Sequence, residues 1–274
     1  MPYHHFTAKN RRGIEIDAWY IAAGSSDPQG TVLFCHNHGA NKGKVLPYAR
    51  FLNDAGYNLI LFDFSNHGNS GKDSKLTGAL KRRIQDIECV VEHALALDDT
   101  IKIKGVVVMG FSLGCVDGIR YANRCPYTLA VILDSGPPFF IRDIFARLVK
   151  RVLGNQSRLV FMLLFFQFRL LAGFAYEKEI QREIRALSPR PVFFIHGDRD
   201  TIIPDAHTRK LYCDHARAPK EYWFVRNCFH LTAHFSNQNE YETRVIHFLS
   251  GIGQLIHESG SPTGDRRIMR RRAK

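Results

Sequence analysis

Apolar and polar positions along this chain follow two alternating rhythms. Short β-branched runs bounded by turn residues predict strands over residues 14–21, 31–35, 58–62, 105–110, 129–133, 191–195 and 221–225. Between them, apolar residues spaced three and four apart predict helices over 45–55, 81–97, 113–123, 205–216 and 240–249. Strands that alternate with helices imply a mostly parallel sheet with helices on both faces, the α/β class. No internal repeat or linker interrupts the pattern, so residues 1–260 read as one domain.

Residues 137–188 break the rhythm. They read as a helical insertion of about fifty residues between two strands, with an apolar centre at 159–166. Gln167 and Arg169 interrupt the apolar run, which is too short to span a bilayer. Three readings stay open: a buried or lid helix over the sheet, a lid that also walls an acyl site, or a helix lying on a membrane surface.

Composition adds less. The 45% apolar and 23% charged content is that of an ordinary globular chain. Six scattered cysteines show no CxxC spacing, and the amino-terminal residues carry no apolar signal-peptide core, so free thiols and a cytoplasmic setting are expected. No cysteine or histidine pair has zinc-ligand spacing, and no metal or other cofactor is expected. The net charge of +12 draws partly on a basic tail, 261–274, expected to be flexible. With the apolar insertion, that tail leaves room for peripheral membrane contact; without a nucleic-acid motif, no nucleic-acid partner is expected.

The chemistry concentrates at Gly110-Phe111-Ser112-Leu113-Gly114, a G-x-S-x-G sequence between an apolar strand and a helix. A serine at such a sharp turn projects its hydroxyl from the top of the sheet, and the flanking glycines remove colliding side chains. The bland alternative is a glycine-rich strand-to-helix turn. Serine needs a base, and the base needs an acid to orient it. Asp200, after the strand 191–195 and the Gly197–Arg199 turn, is the favoured acid. Asp198 is expected in an Asx-type turn contact, and Asp134 stands in reserve. His230, on the loop after the last strand, is the favoured base over His234. The oxyanion needs two preorganised N–H donors, assigned to the backbones of Leu113 and His38.

These residues resemble the α/β-hydrolase superfamily, in particular its serine-hydrolase branch of esterases, lipases and serine-aminopeptidase-like proteins. Phe34-Cys35-His36-Asn37-His38-Gly39-Ala40-Asn41-Lys42 resembles the branch's oxyanion loop. His67-Gly68-Asn69-Ser70-Gly71 resembles its next turn, Ile195-His196-Gly197-Asp198-Arg199-Asp200 with Ile203-Pro204 its acid motif, and residues 241–249 its closing helix. Counting back from Tyr241, the resemblance also puts the histidine at His230. Two departures stand out. Asn37 replaces the usual glycine, where a left-handed backbone would be tolerated by asparagine. Lys81 replaces a frequent glutamate three residues after Gly78, which implies a lost ion pair or a shifted helix. The resemblance implies an α/β-hydrolase fold and a serine hydrolase of carboxylic esters or thioesters; the apolar insertion, read as a helical lid, suggests a hydrophobic acyl substrate. The alternative is a binding protein that keeps the fold with a vestigial triad.

Overall fold

The computed structural model describes residues 1–75, 77–154, 158–217 and 219–259. The basic tail 261–274 lies outside the described residues, as does residue 260. In chain order the elements are β1 (His4–Lys9), β2 (Glu15–Ile21), β3 (Gly30–Cys35), α1 (Leu46–Asp54), β4 (Tyr57–Phe62), α2 (Ala79–Arg82), α3 (Ile84–Leu97), α4 (Thr100–Lys104), β5 (Val106–Phe111), α5 (Gly114–Ala122) and β6 (Thr128–Asp134). There follow α6 (Ile141–Leu153), α7 (Arg158–Ala172), α8 (Tyr176–Ala186), β7 (Val192–Gly197), α9 (Asp205–Lys210), β8 (Lys220–Val225), α10 (Ala233–Ser236) and α11 (Gln238–Ser259).

The eight strands form one sheet in the order β1-β2-β4-β3-β5-β6-β7-β8. From β4 to β8 every neighbouring pair is parallel, and β1 and β2 add an antiparallel edge. The central strands are buried along their whole length, which is why they read as continuous apolar runs. Alternate residues feed opposite faces. Leu33, Ile60, Val108, Val131 and Phe194 join one core with α3, α5 and α8. Val32, Leu59, Val107, Ile132 and Phe193 join the other with α1 and α11. The sheet thus has helices on both faces, as the pattern predicts.

β1 has no counterpart among the predicted strands. Its burial alternates, with only Phe6 and Ala8 facing inward, and Gly13, at φ +77°, closes its turn to β2 by donating N–H to Asn10 O at 2.8 Å. Two buried positions are too few to stand out as a run. The predicted helix 81–97 is broken, with Arg83 between α2 and α3. The predicted helix 205–216 ends its α-helical part at Lys210 and continues over Leu211–His215 as a wider, π-type turn.

The insertion is three helices, not one. α8 packs inward through Tyr176, Ile180 and Ile184, whereas in α7 only Ala172 is fully buried. Of the readings left open, a fully buried helix therefore does not describe α7. One side of α7 leans on the core through Phe165 and Phe168, while Leu159, Met162, Leu163, Phe166 and Leu170 stay exposed on the other. Lys81 does not lose a partner either: its Nζ lies 2.5 Å from Glu179 Oε1 on α8, tying α2 to the insertion. All six cysteines are unpaired thiols, five buried and Cys213 exposed.

Candidate active site

The site forms at the carboxyl ends of the parallel strands, where open α/β sheets leave a crevice. β5 ends in the sharp turn of Ser112, whose φ is +50°. A non-glycine residue in the left-handed region is strained and persists only where its surroundings hold it. The glycines on either side explain how. A Cβ on Gly110 would stand 2.6 Å from Cys115 Cα, and one on Gly114 would stand 2.1 Å from the Cys35 carbonyl oxygen and 2.6 Å from that of His36. The turn is therefore pressed backbone-to-backbone against the end of β3. Gly114→Ala should cost about 3 kcal/mol or more of folding stability, since both partners are main chain and neither can swing away. Denaturant unfolding measures it, and a midpoint equal to wild type would contradict this packing.

Three side chains far apart in sequence meet above this turn. His230 Nε2 lies 3.0 Å from Ser112 Oγ, and His230 Nδ1 lies 2.6 Å from Asp200 Oδ2. An ionised Asp200 requires the Nδ1–H tautomer, which leaves Nε2 free to accept the serine proton. Asp200 has no exposed side-chain surface, and the His230 side chain is 13% exposed, so one face of the imidazole edge stays open to solvent. Ile202 and Ile203 donate their N–H groups to Asp200 Oδ1 at 2.9 and 2.8 Å. Burial works against the Asp200 charge, but hydrogen bonds from His196 and His230 outweigh it and hold the carboxyl at about 2.

His196, which the acid motif includes without assigning it a role, supports the acid. It is fully buried, donates Nε2–H to Ile203 O at 2.8 Å, and sits 3.3 Å from Asp200 Oδ2. Thr208 Oγ lies 2.9 Å from its Nδ1. It thereby fixes the loop that carries Asp200. The pairing of two donors on one carboxylate could not be read from linear spacing alone.

The other candidates fall elsewhere. Both oxygens of Asp134 are taken: Tyr241 OH donates to Oδ2 and Ser135 Oγ to Oδ1, each at 2.8 Å. Burial pushes the Asp134 carboxyl up, opposed by those two bonds. Ser135 Oγ in turn accepts the N–H of Leu231 at 3.0 Å, so this chain of bonds braces the histidine loop from below. Ser135 and Leu231 are themselves at φ +54° and +58°. Asp198 makes no Asx turn. Its Oδ1 accepts the N–H of Cys228 at 3.2 Å, clamping the acid loop to the histidine loop. His234 is buried under Tyr48, Phe51 and Tyr241 and lies 3.1 Å from Glu242, which makes it a packing residue.

The loop after β3 is anchored at both ends. His36 is fully buried, donates Nδ1–H to Asn37 O at 2.8 Å and accepts Phe64 N–H on Nε2 at 3.1 Å. Burial, and then the nearby Arg83 charge, push the His36 ring down to about 3, so it stays neutral. At the far end, Lys42 is buried between Asp63, at 2.7 Å, and Asp17. Asn37 does not use the left-handed backbone that asparagine would tolerate. The loop's positive φ falls on Gly39 instead, at +74°, and the Asn37 amide turns back onto the His38 carbonyl at 3.3 Å. Among the described residues, the backbone N–H groups of His38 and Leu113 have no hydrogen-bond acceptor.

The insertion springs from beside the nucleophile turn. A Cβ on Gly136 would lie 2.5 Å from the Ser112 carbonyl oxygen. α6 then runs along the acid loop: Asp143 lies 3.0 Å from His207 and Arg151 reaches Thr201 Oγ at 3.2 Å. The loops that carry Asp200 and His230 expose apolar side chains, Ile202 at 47% and Phe229 at 53%.

Comparison with known proteins agrees with this fold. Residues 26–167 match the family model described as serine aminopeptidase, S33. The chain is 25% identical to the uncharacterized protein YqkD of Bacillus subtilis (strain 168), over 90% of this chain and 79% of that one. It is 24% identical to a monoacylglycerol lipase of Mycolicibacterium smegmatis, over 76% of this chain and 82% of the lipase. Among solved structures it resembles the esterase Pf2001 of Pyrococcus furiosus, with a TM-score of 0.75, 25% identity, and coverage of 91% and 90% of the two chains.

Proposed function

This chain belongs to the serine aminopeptidase S33 family of the α/β-hydrolase superfamily, and from that premise we propose that it is a serine hydrolase of carboxylic esters or thioesters with a hydrophobic acyl group. The observation that carries the reading is the continuous contact from Ser112 Oγ through His230 to Asp200. Ser112 Oγ attacks the substrate carbonyl while His230 Nε2 takes its proton. Asp200 holds the ring and stabilises the imidazolium. The N–H groups of Leu113 and His38 receive the oxyanion. His230 then protonates the leaving alcohol or thiol. Water, deprotonated by the same imidazole, releases the acid and restores the serine. Each role uses the protein's own groups and needs no metal or cofactor.

Ester over peptide chemistry is supported by relatives that are described as an esterase and a monoacylglycerol lipase. The apolar mouth at Ile202 and Phe229, with α6 alongside, supports an acyl group over a polar one. The test is a panel of p-nitrophenyl esters of graded chain length, run beside an aminoacyl-anilide. We expect kcat/KM to rise from acetate to medium or long chains by about tenfold or more, each buried methylene adding up to ~0.8 kcal/mol. Faster anilide cleavage, or no turnover of any ester, would overturn the reading. Ligand retention without turnover would point to a binding protein.

A further inference from the structure

The α6–α7 pair presents a face that no described residue covers. On α7, Leu159, Met162, Leu163, Phe166 and Leu170 recur at helical spacing, yet they are 69, 57, 60, 55 and 38% exposed. Leu148 and Val152 on α6 are 47 and 68% exposed, and Phe174 just beyond α7 is 69%. Isolated exposed leucines need no explanation, but a periodic stripe of large apolar side chains marks a contact surface.

The polar residues around the stripe have one sign. Asp143 is the sole carboxylate between Ile141 and Ala172, and it is engaged by Arg147 and His207. Arg142, Lys150 and Arg158 have no carboxylate partner among the described residues. These three cations line a recess of about 470 Å³ between the two helices, floored by Val149 and Phe161. A recess of cations over an apolar floor, opening beside an apolar stripe, matches an anionic headgroup above its acyl chains.

A transmembrane reading does not fit. α7 has 15 residues, about 22 Å of helix, short of the ~30 Å hydrocarbon core. No single described helix is long and apolar enough to cross, and α8, which with α7 forms a pair bent by 43° that passes a length test, is packed into the core through Tyr176, Ile180 and Ile184.

We propose that the α6–α7 face docks on the surface of an anionic phospholipid bilayer, with the α7 stripe in the acyl boundary and Arg142, Lys150 and Arg158 on lipid phosphates. Since α6 borders the acid loop through Arg151 and Thr201, docking sets the mouth of the site against the bilayer. This deepens the proposed function, because a lipid-dissolved ester would then reach Ser112 without crossing water.

Vesicle flotation tests the docking without any use of activity. The full-length protein is floated with phosphatidylcholine vesicles and with vesicles containing phosphatidylglycerol. We expect binding to the anionic vesicles that weakens as salt is raised. A Leu163→Asp/Phe166→Asp variant should bind at least about tenfold more weakly, and so should an Arg142→Glu/Lys150→Glu/Arg158→Glu variant. All five positions lie on the helix surface, and circular dichroism with thermal unfolding checks that the variants fold. Absence of wild-type binding would overturn the proposal. So would undiminished binding by the face variants, which retain the basic tail and would assign the contact to it. Self-association abolished by Phe166→Asp, with no vesicle binding, would assign the stripe to a second copy. Loss of esterase activity in the same preparations, with flotation intact, would fault the proposed chemistry and leave the docking standing.

Discussion

Ser112→Ala should lower kcat by about 10⁴-fold or more on whichever ester turns over best, with little change in KM or folding. The hydroxyl supplies the attacking atom, and its neighbours remain in place without it. The backbone strain at φ +50° is inherited by alanine, so the fold cost is not relieved by the change. His230→Ala should lower kcat by a similar factor, and the double variant should be no worse than either alone, because the two groups act as one unit. Steady-state kinetics measures all three. Additive losses would mean that serine and imidazole contribute separately, against the contact at 3.0 Å.

Asp200→Asn should lower kcat by about 10³- to 10⁴-fold with the fold retained. An amide donor facing Nδ1 favours the wrong imidazole tautomer and cannot stabilise the imidazolium. Its stability signature is also defined. Burial raises the Asp200 carboxyl, but the hydrogen bonds from His196 and His230 dominate and bring the folded value to about 2. An unfolded aspartate titrates near ~3.9. The folded value is the lower one, so the charged carboxylate stabilises the fold fully above about pH 4, and this contribution is lost as pH falls through about 2. Wild type should therefore be more stable than Asp200→Asn at neutral pH, with the gap closing below about pH 4. Unfolding midpoints across that range measure it. A constant gap would mean that the carboxylate is not held down. Since Asp200 stays ionised to about pH 2, any acid limb of activity above that belongs to another group.

The fold was legible in the chain because parallel strands buried on both faces are long apolar runs, and β3, β4, β5, β6 and β7 all carry them. β1 was not legible, since an edge strand with two inward residues has no run to show. The contacts of Ser112, Asp200 and His230 follow from where each sits after its strand. The groups that support them are legible only in three dimensions. His196 holds the Asp200 loop, Asp198 ties that loop to Cys228, and the Tyr241–Asp134–Ser135 chain reaches Leu231. Two of those links, to Cys228 and Leu231, end on backbone N–H groups far along the chain, which carry no sequence signal. Asn37 shows the converse limit. A residue type tolerant of a left-handed backbone predicts that backbone only if the loop needs it there, and Gly39 supplies it instead.

The insertion left three readings open for a physical reason. Apolar periodicity reports that a helix face must be covered, and it is silent on what covers it. In α8 the cover is α5 and the Leu211–His215 turn; for the α7 stripe no described residue supplies it. The same pattern therefore served for a core helix and for an exposed stripe beside the site.

A fluorophosphonate probe bears most directly on the central claim, because only an activated serine hydroxyl displaces its leaving group at a useful rate. Mass spectrometry of the labelled, digested protein should place the adduct on the peptide that contains Ser112, with no label in Ser112→Ala and strongly slowed labelling in His230→Ala. Folded wild type that takes up no probe, or an adduct on any other residue, would contradict it.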